Sequence, residues 1–178
     1  MGEPSEAVLE DAEGRVSLRF EQRLAQPAER VWRALTEPAE LRTWHPTPFT
    51  FEPREGGAVR HPSSAGAPAM PDGRVTAFDP PRLLAYTWGD DELRFELYAD
   101  GAGTRLVLVH AFADRFKAAR DAAGWHVCLR ALAGLLDGEP LEATTDADGL
   151  PAGWQELNRR YQERFGIPPE RATPPPPR

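Results

Sequence analysis

With 178 residues, 40% of them hydrophobic and 28% charged, the chain has the length of one globular domain with its own core. A net charge of −7 argues against general affinity for nucleic acid or anionic lipid surfaces, and no apolar run approaches the length of a membrane span. The single cysteine, Cys128, excludes an internal disulfide, and the acidic Gly-Pro start lacks a signal peptide's basic and apolar regions, so a reducing cytoplasm is the expected setting. Basic charge is almost wholly arginine, with Lys117 the only lysine, which reads as the codon bias of a GC-rich bacterial genome.

Residues 1–13 are acidic and carry no apolar period, which predicts a frayed, disordered N-terminus. "GRVSLRFEQRL" then alternates, with Val16, Leu18 and Phe20 on one face and Arg15, Ser17 and Arg19 on the other, the pattern of a half-buried strand. "QPAERVWRALTEPAELRTWHP" reads as two short helices. Pro27 suits a first-turn position, Val31, Ala34 and Leu35 share a face, and Pro38 stops the first helix and opens the second. Leu41 and Trp44 lie on one side of that second helix, which Pro46 ends.

From Phe49 to Phe112 six segments read as strands: "FTFEP", "GAVRH", "GRVTAF", "RLLAYTW", "LRFELYA" and "TRLVLVHAF". Gly, Pro and Asp clusters separate them, and such short turns favour antiparallel pairing. The one long break, at 61–72, is small and polar enough for a mobile loop. The two-residue period turns Thr104, Leu106, Leu108, His110 and Phe112 inward, and likewise Leu93, Phe95 and Leu97.

Asp114 is placed to cap a long helix that runs to about Leu136, with Gly138 beyond its end. On a helical wheel Trp125, Cys128, Leu129, Leu132, Leu135 and Leu136 form one apolar arc, and His126 and Arg130 share a polar flank expected to face water. Trp154, Leu157, Tyr161 and Phe165 recur at helical spacing before Gly166, so residues 139–166 read as a linker and a docking helix. Residues 167–178, ending in "TPPPPR", read as a disordered Pro-rich tail.

One strand, two short helices, about six antiparallel strands and a long helix give an α+β helix-grip order over residues 14–138, a curved sheet wrapped around the last long helix. The segments "RLAQPAERVWRALTEPAELRTWH", "GRVTAFDPPRLLAYTWGDDELRFEL", "GTRLVLVHAF" and "AAGWHVCLRALAGLLDG" resemble the bacterial START-like (SRPBCC) proteins of the activator-of-heat-shock-protein-90-ATPase-like family. The resemblance implies a cavity between sheet and long helix. The helix around Trp154 resembles an extension found in some members. The wider superfamily includes lipid carriers, hormone and allergen-type binders, and aromatase/cyclase enzymes. Eukaryotic activators carry a separate chaperone-engaging domain, which the stretch before Gly14 is expected not to supply.

The candidate ligand-binding set is Trp44, Phe49, Tyr86, Trp88, Phe95, Phe112, Trp125 and Leu129, with His110 and Asp121 as a polar end. The same rings would equally make an ordinary core. His110 is suited to bond a ligand oxygen or act as a general base, or to be satisfied internally by Tyr86, a carbonyl or water. Trp44 and the 61–72 loop are expected at the cavity mouth. No metal or other cofactor is expected: the four histidines are spread over distinct elements, and His126 and Cys128 diverge on their helix. Cys128 lacks an adjacent base, the glycine turns read as hairpins, and Ser63 and Ser64 lack a nucleophile elbow.

The expected function is binding of a hydrophobic or aromatic small molecule, with no catalysis. The alternatives are a cyclase or dehydratase using His110 with Asp121 or Tyr86, and an interaction protein with a chaperone or regulator as partner. A homodimer stays open.

Overall fold

The computed structural model describes residues 2–12, 14–61, 71–139 and 150–172. Eight antiparallel strands form one sheet in the order β1-β2-β8-β7-β6-β5-β4-β3. They are β1 (Val8–Ala12), β2 (Arg15–Leu24), β3 (Thr50–Phe51), β4 (Ala58–Arg60), β5 (Gly73–Asp79), β6 (Leu83–Trp88), β7 (Asp91–Asp100) and β8 (Gly103–Phe112). Helices α1 (Ala28–Thr36) and α2 (Pro38–Trp44) cross from β2 toward the β3 edge, and α3 (Ala118–Asp137) follows β8 across the sheet's inner face. This is the helix-grip α+β fold that the order of segments implies.

The three ten-residue strands β2, β8 and β7 carry the fold, and their alternation builds the inner face. Register aligns side chains in rows: Leu18, His110, Leu93 and Tyr86 lie across neighbouring strands, and Phe20, Leu108, Phe95 and Leu84 form the next row. All eight are buried. One row thus sets an imidazole and a phenol among aliphatic side chains, and both polar groups need partners from the opposite layer. Close pairing of β8 with β2 needs Gly103, where a Cβ would collide with the Leu24 carbonyl.

That opposite layer is α3. Asp114 caps a short 3-10 turn at Arg115–Lys117 by accepting from the Phe116 N–H at 3.0 Å, and α3 follows directly. Gly138 ends α3 in the left-handed conformation at φ 76°. Alanines 118, 119, 122 and 123 keep the first turns slim, while Trp125, Leu129, Leu132 and Leu136 fill the space between helix and sheet. On α2 the Trp44 indole N–H donates to the Ala34 carbonyl of α1 at 2.8 Å, locking the two short helices together.

Three expectations are corrected. Residues 1–13 are not all frayed: Val8–Ala12 pair with β2, and Ser5 exchanges 2.7 and 2.8 Å hydrogen bonds with Glu21. The pairing is through backbone groups, so it needs no apolar alternation in the sequence. Residues 167–172 are not loose either, since Ile167 is buried and the Arg171 guanidinium lies 4.0 Å over the Phe116 ring. Third, His126 does not face water; it is buried on α3 beneath α4 (Trp154–Phe165). The parts of the loop, linker and tail readings at 62–70, 140–149 and 173–178 lie outside the described residues.

The cover over His126 is tied by hydrogen bonds. The Tyr161 hydroxyl accepts from the Ala7 N–H at 3.2 Å and lies 2.8 Å from His126 Nδ1, to which it donates. Arg160 pairs with Glu6 at 2.6 Å, Arg130 with Glu3 at 2.8 Å, and Arg164 donates to the Ala7 carbonyl. The N-terminal segment, α3 and α4 therefore form one joint. Tyr161→Phe leaves an imidazole nitrogen and a backbone N–H unsatisfied in the interior, an expected loss of about 1–3 kcal/mol in urea denaturation. An unchanged midpoint would show that the joint does not depend on this hydroxyl.

Candidate functional site

Between α2, the sheet and α3 lies a cluster of rings built around two histidines. His45 follows α2 directly, its backbone N–H bonded to the Leu41 carbonyl, and Pro46 turns the chain so that the imidazole enters the core. It is surrounded by Trp44, Phe49, Trp125 and Trp88 at ring separations of 5.3, 5.2, 5.5 and 6.4 Å. Its Nδ1 lies 2.8 Å from the Thr47 carbonyl and its Nε2 2.9 Å from the Tyr86 hydroxyl. Nδ1 also faces the Thr47 N–H at 3.2 Å, so both ring nitrogens are engaged whichever of them carries the proton. Burial pushes the His45 pKa down to about 3, so the ring is neutral at physiological pH, and burial likewise pushes Tyr86 well above its ordinary value.

His110 occupies the other half of the cluster, fully buried on β8. Trp125 Nε1–H donates to His110 Nδ1 at 3.1 Å, so Nδ1 keeps its lone pair and Nε2 carries the proton. That proton is donated to Asp91 Oδ2 at 2.9 Å. The same carboxylate oxygen accepts from the Lys117 ammonium, which also lies 3.7 Å from Asp121 Oδ2 and 5.0 Å over the Phe112 ring. Arg120 bonds Asp121 Oδ1 at 2.7 Å. Burial opposes ionisation of Asp91, but the hydrogen bonds from His110 and Lys117, with the charge of the lysine, hold its pKa below the ordinary carboxylate value.

The structure brings the sequence-derived residues together. Phe49 packs 4.6 Å from Tyr86, Phe95 lies 6.2 Å from Trp125 and 6.1 Å from Trp44, and Phe112 lies 4.9 Å from His110. Leu129 is buried one turn beyond Trp125 on α3. Trp88 is half-buried at the cluster's rim, its indole N–H donating to the Thr47 hydroxyl at 2.8 Å. Trp44 is not at a mouth: it is 4% exposed and its N–H is used by Ala34. Asp121 and His110 do meet in one network, with ligating atoms within 4.8 Å of each other and of Asp91. The partners of His110 are Trp125 and Asp91, rather than Tyr86, a carbonyl or water.

Two members were missed. Asp91 shares the parity of Leu93, Phe95 and Leu97, so the strand period already turned it inward; the "GDD" turn concealed it. His45 had no periodic signal, because it lies just past the helix end.

The chemistry available is narrow. Both nitrogens of His110 and both of His45 are engaged within the protein, so neither offers a free lone pair to a substrate. Asp91, His110 and Asp121 have ligand types suited to a divalent ion. A metal there would have to displace Lys117 and remove the Nε2 proton; the cation in this cluster is the lysine. Cys128 is half-buried as a residue, and desolvation of its thiol pushes the pKa up to about 12, which makes it a poor nucleophile.

The family described as activator of Hsp90 ATPase homolog 1-like protein matches residues 25–137. No curated protein matches the chain. Among solved structures, CalU16 from Micromonospora echinospora is similar at 23% identity and TM-score 0.67, over 93% of this chain and 96% of that one. A conserved protein of unknown function from Enterococcus faecalis is similar at 19% identity and TM-score 0.71, over 90% and 91%. These two share the fold. A protein from Rhodobacter sphaeroides is similar at 26% identity and TM-score 0.60, over 75% of this chain but 99% of its own.

Because Asp91 has a lowered folded-state pKa, the stabilisation from its charge is present above its unfolded value, about 3.9, and is lost as pH falls through the folded value. Asp91→Asn is therefore expected to lower stability by about 2 kcal/mol at pH 7, with the difference from wild type beginning to shrink only as pH falls below about 4. Denaturation curves across that range decide it, and a difference independent of pH would contradict the ionised network.

Proposed function

The chain belongs to the activator of Hsp90 ATPase homolog 1-like family, and from that premise we propose that it binds a planar, largely apolar small molecule against the ring cluster between the sheet and α3. Hydrophobic-ligand binding is associated with this family. The observation that carries the reading is the pairing of ring density with internal satisfaction. Aromatic rings surround two histidines whose nitrogens already have protein partners, so a ligand would meet ring faces and edges rather than unpaired donors.

Trp88 is the contact residue of this proposal, because it alone among the clustered indoles is half-exposed while touching His45, His110 and Trp125. Phe49, Tyr86, Phe95 and Trp125 lie buried behind it as its support, with Phe112 and Leu129 beside them, and Asp91 and Asp121, held with His110 in one network, bound the cluster on its polar side. Trp44 serves from behind by holding α1 and α2. A ligand face burying roughly 200 Å² of apolar area would gain about 5 kcal/mol before association costs. The occupied histidines favour binding over acid–base turnover. The functional unit we assign to 14–138, with α4 as a docked accessory, acting in the cytoplasm. No helix among the described residues is long and apolar enough to cross a membrane.

The neutral fluorophore N-phenyl-1-naphthylamine is a suitable probe. Trp88→Ala is expected to weaken its binding by roughly tenfold while thermal unfolding stays cooperative, the loss of about 1.4 kcal/mol of aromatic contact. Unchanged affinity in the folded variant would remove Trp88 from the site.

A further inference from the structure

The alternation that turns Leu18, His110 and Leu93 inward turns Arg19, Val109 and Arg94 outward, side by side on β2, β8 and β7. The next row along the strands is Glu21, Val107 and Glu96, and the one after it Arg23, Arg105 and Tyr98. Charge on the sheet's outer face therefore alternates from row to row, with two valines in its middle strand. The exposed large hydrophobic side chains among the described residues, Val8 at 46% and Tyr98 at 43%, both lie on this face, Val8 beside Arg19 and Tyr98 beside Arg105. Arg19 pairs with Glu21 at 2.5 Å, Arg94 with Glu96 at 2.5 Å and Arg105 with Glu21 at 3.6 Å, while the Arg105 guanidinium lies 4.3 Å over the Tyr98 ring. These contacts hold the long side chains down on the sheet, so little of their freedom is left to lose on association. We propose that this outer face is where two copies of the chain pair back to back.

The rows are complementary to themselves. A half-turn about an axis that crosses the strands, passing over β8 midway between Val107 and Val109, keeps β8 over β8 and reverses the order of the rows. Arg19 and Arg94 then stand over the partner's Glu21 and the partner's Glu96, and the two-fold repeats these contacts with roles exchanged. Val109 meets the partner's Val107 at the centre, and Tyr98 stands over the partner's Glu92. A half-turn about an axis along the strands would instead set arginine over arginine and glutamate over glutamate, so charge selects the first arrangement. Its strands stay aligned, as packed sheets prefer. At about 3.4 Å of rise and about 4.8 Å between strands, β1, β2, β8, β7 and β6 present roughly 650 Å² per copy, so the pair buries more than about 1,000 Å², enough for specific association. The ring cluster lies on the other face of the sheet, and both copies keep it free.

Sedimentation velocity of the full chain tests the pairing. Wild type is expected to pass from monomer to dimer between about 1 and 200 μM, with a dissociation constant that rises as salt screens the facing charges. Arg94→Glu puts a glutamate over the partner's Glu96 and is expected to weaken the dimer by about tenfold or more. Adding Glu96→Arg to Arg94→Glu restores the alternation and should bring association back to the wild-type range. Cooperative thermal unfolding establishes that each variant is folded. A wild type that stays monomeric through about 200 μM would overturn the proposal. So would a folded Arg94→Glu protein that associates as wild type does, or a folded double variant that associates no better than the single one.

Discussion

The hydrogen bond from Trp125 to His110 sets the terms for the interior. A long helix lying across a concave sheet is held mainly by apolar contact, which has strength but little direction. Trp125 reaches from α3 to the middle of the sheet and places its one polar atom on His110 Nδ1. That choice fixes which nitrogen of the imidazole holds the proton, and the proton in turn requires an acceptor, which Asp91 provides. Asp91 requires compensation, which Lys117 provides. Helix position, tautomer and charge are thus one linked arrangement, and loosening any member exposes an unsatisfied group in the next.

A second arrangement repeats the logic on the far side of the rings, where His45 joins the end of α2 to Tyr86 on the sheet. A third does so outside α3, where Tyr161 joins α4, His126 and the N-terminal segment. In each case a histidine is held neutral or internally bonded between two elements that would otherwise meet only through apolar surface. Burial pushes His126 to about 4, as it pushes His45 to about 3, so acidification works against both joints before it reaches most carboxylates. Of the chain outside the family match, α4 and the segment ahead of β1 belong to the third joint; the charge pairs Arg160–Glu6 and Arg130–Glu3 lie at its rim, where they steer docking more than they stabilise it.

Much of this was legible in the sequence because strand parity is a strict signal. Alternation in "LRFELYA" and "TRLVLVHAF" placed Leu93, Phe95, His110 and Phe112 on one face, and the helical wheel placed Trp125 and Leu129 opposite them. The hidden features have physical reasons. β1 pairs through its backbone, which leaves no apolar period. His126 falls on the less apolar flank of α3, and a wheel drawn for one helix cannot register a second helix that covers it. Asp91 was available to the parity argument but read as turn chemistry. His45 lies where a helix stops, and only the path of the chain after Pro46 decides whether such a residue points in or out. The contacts of Phe78 with Trp32 and with Phe51 join residues from three elements, a juxtaposition no local period contains.

The central claim is that the interior is a satisfied ring cluster whose histidines are committed to the protein. Long-range proton–nitrogen correlation of the histidine side chains at neutral pH tests it most directly. The expected spectrum shows His110 with its proton on Nε2. A His110 ring protonated on Nδ1 would contradict the account, since Trp125 would then have no acceptor and the imidazole would hold a free lone pair for chemistry.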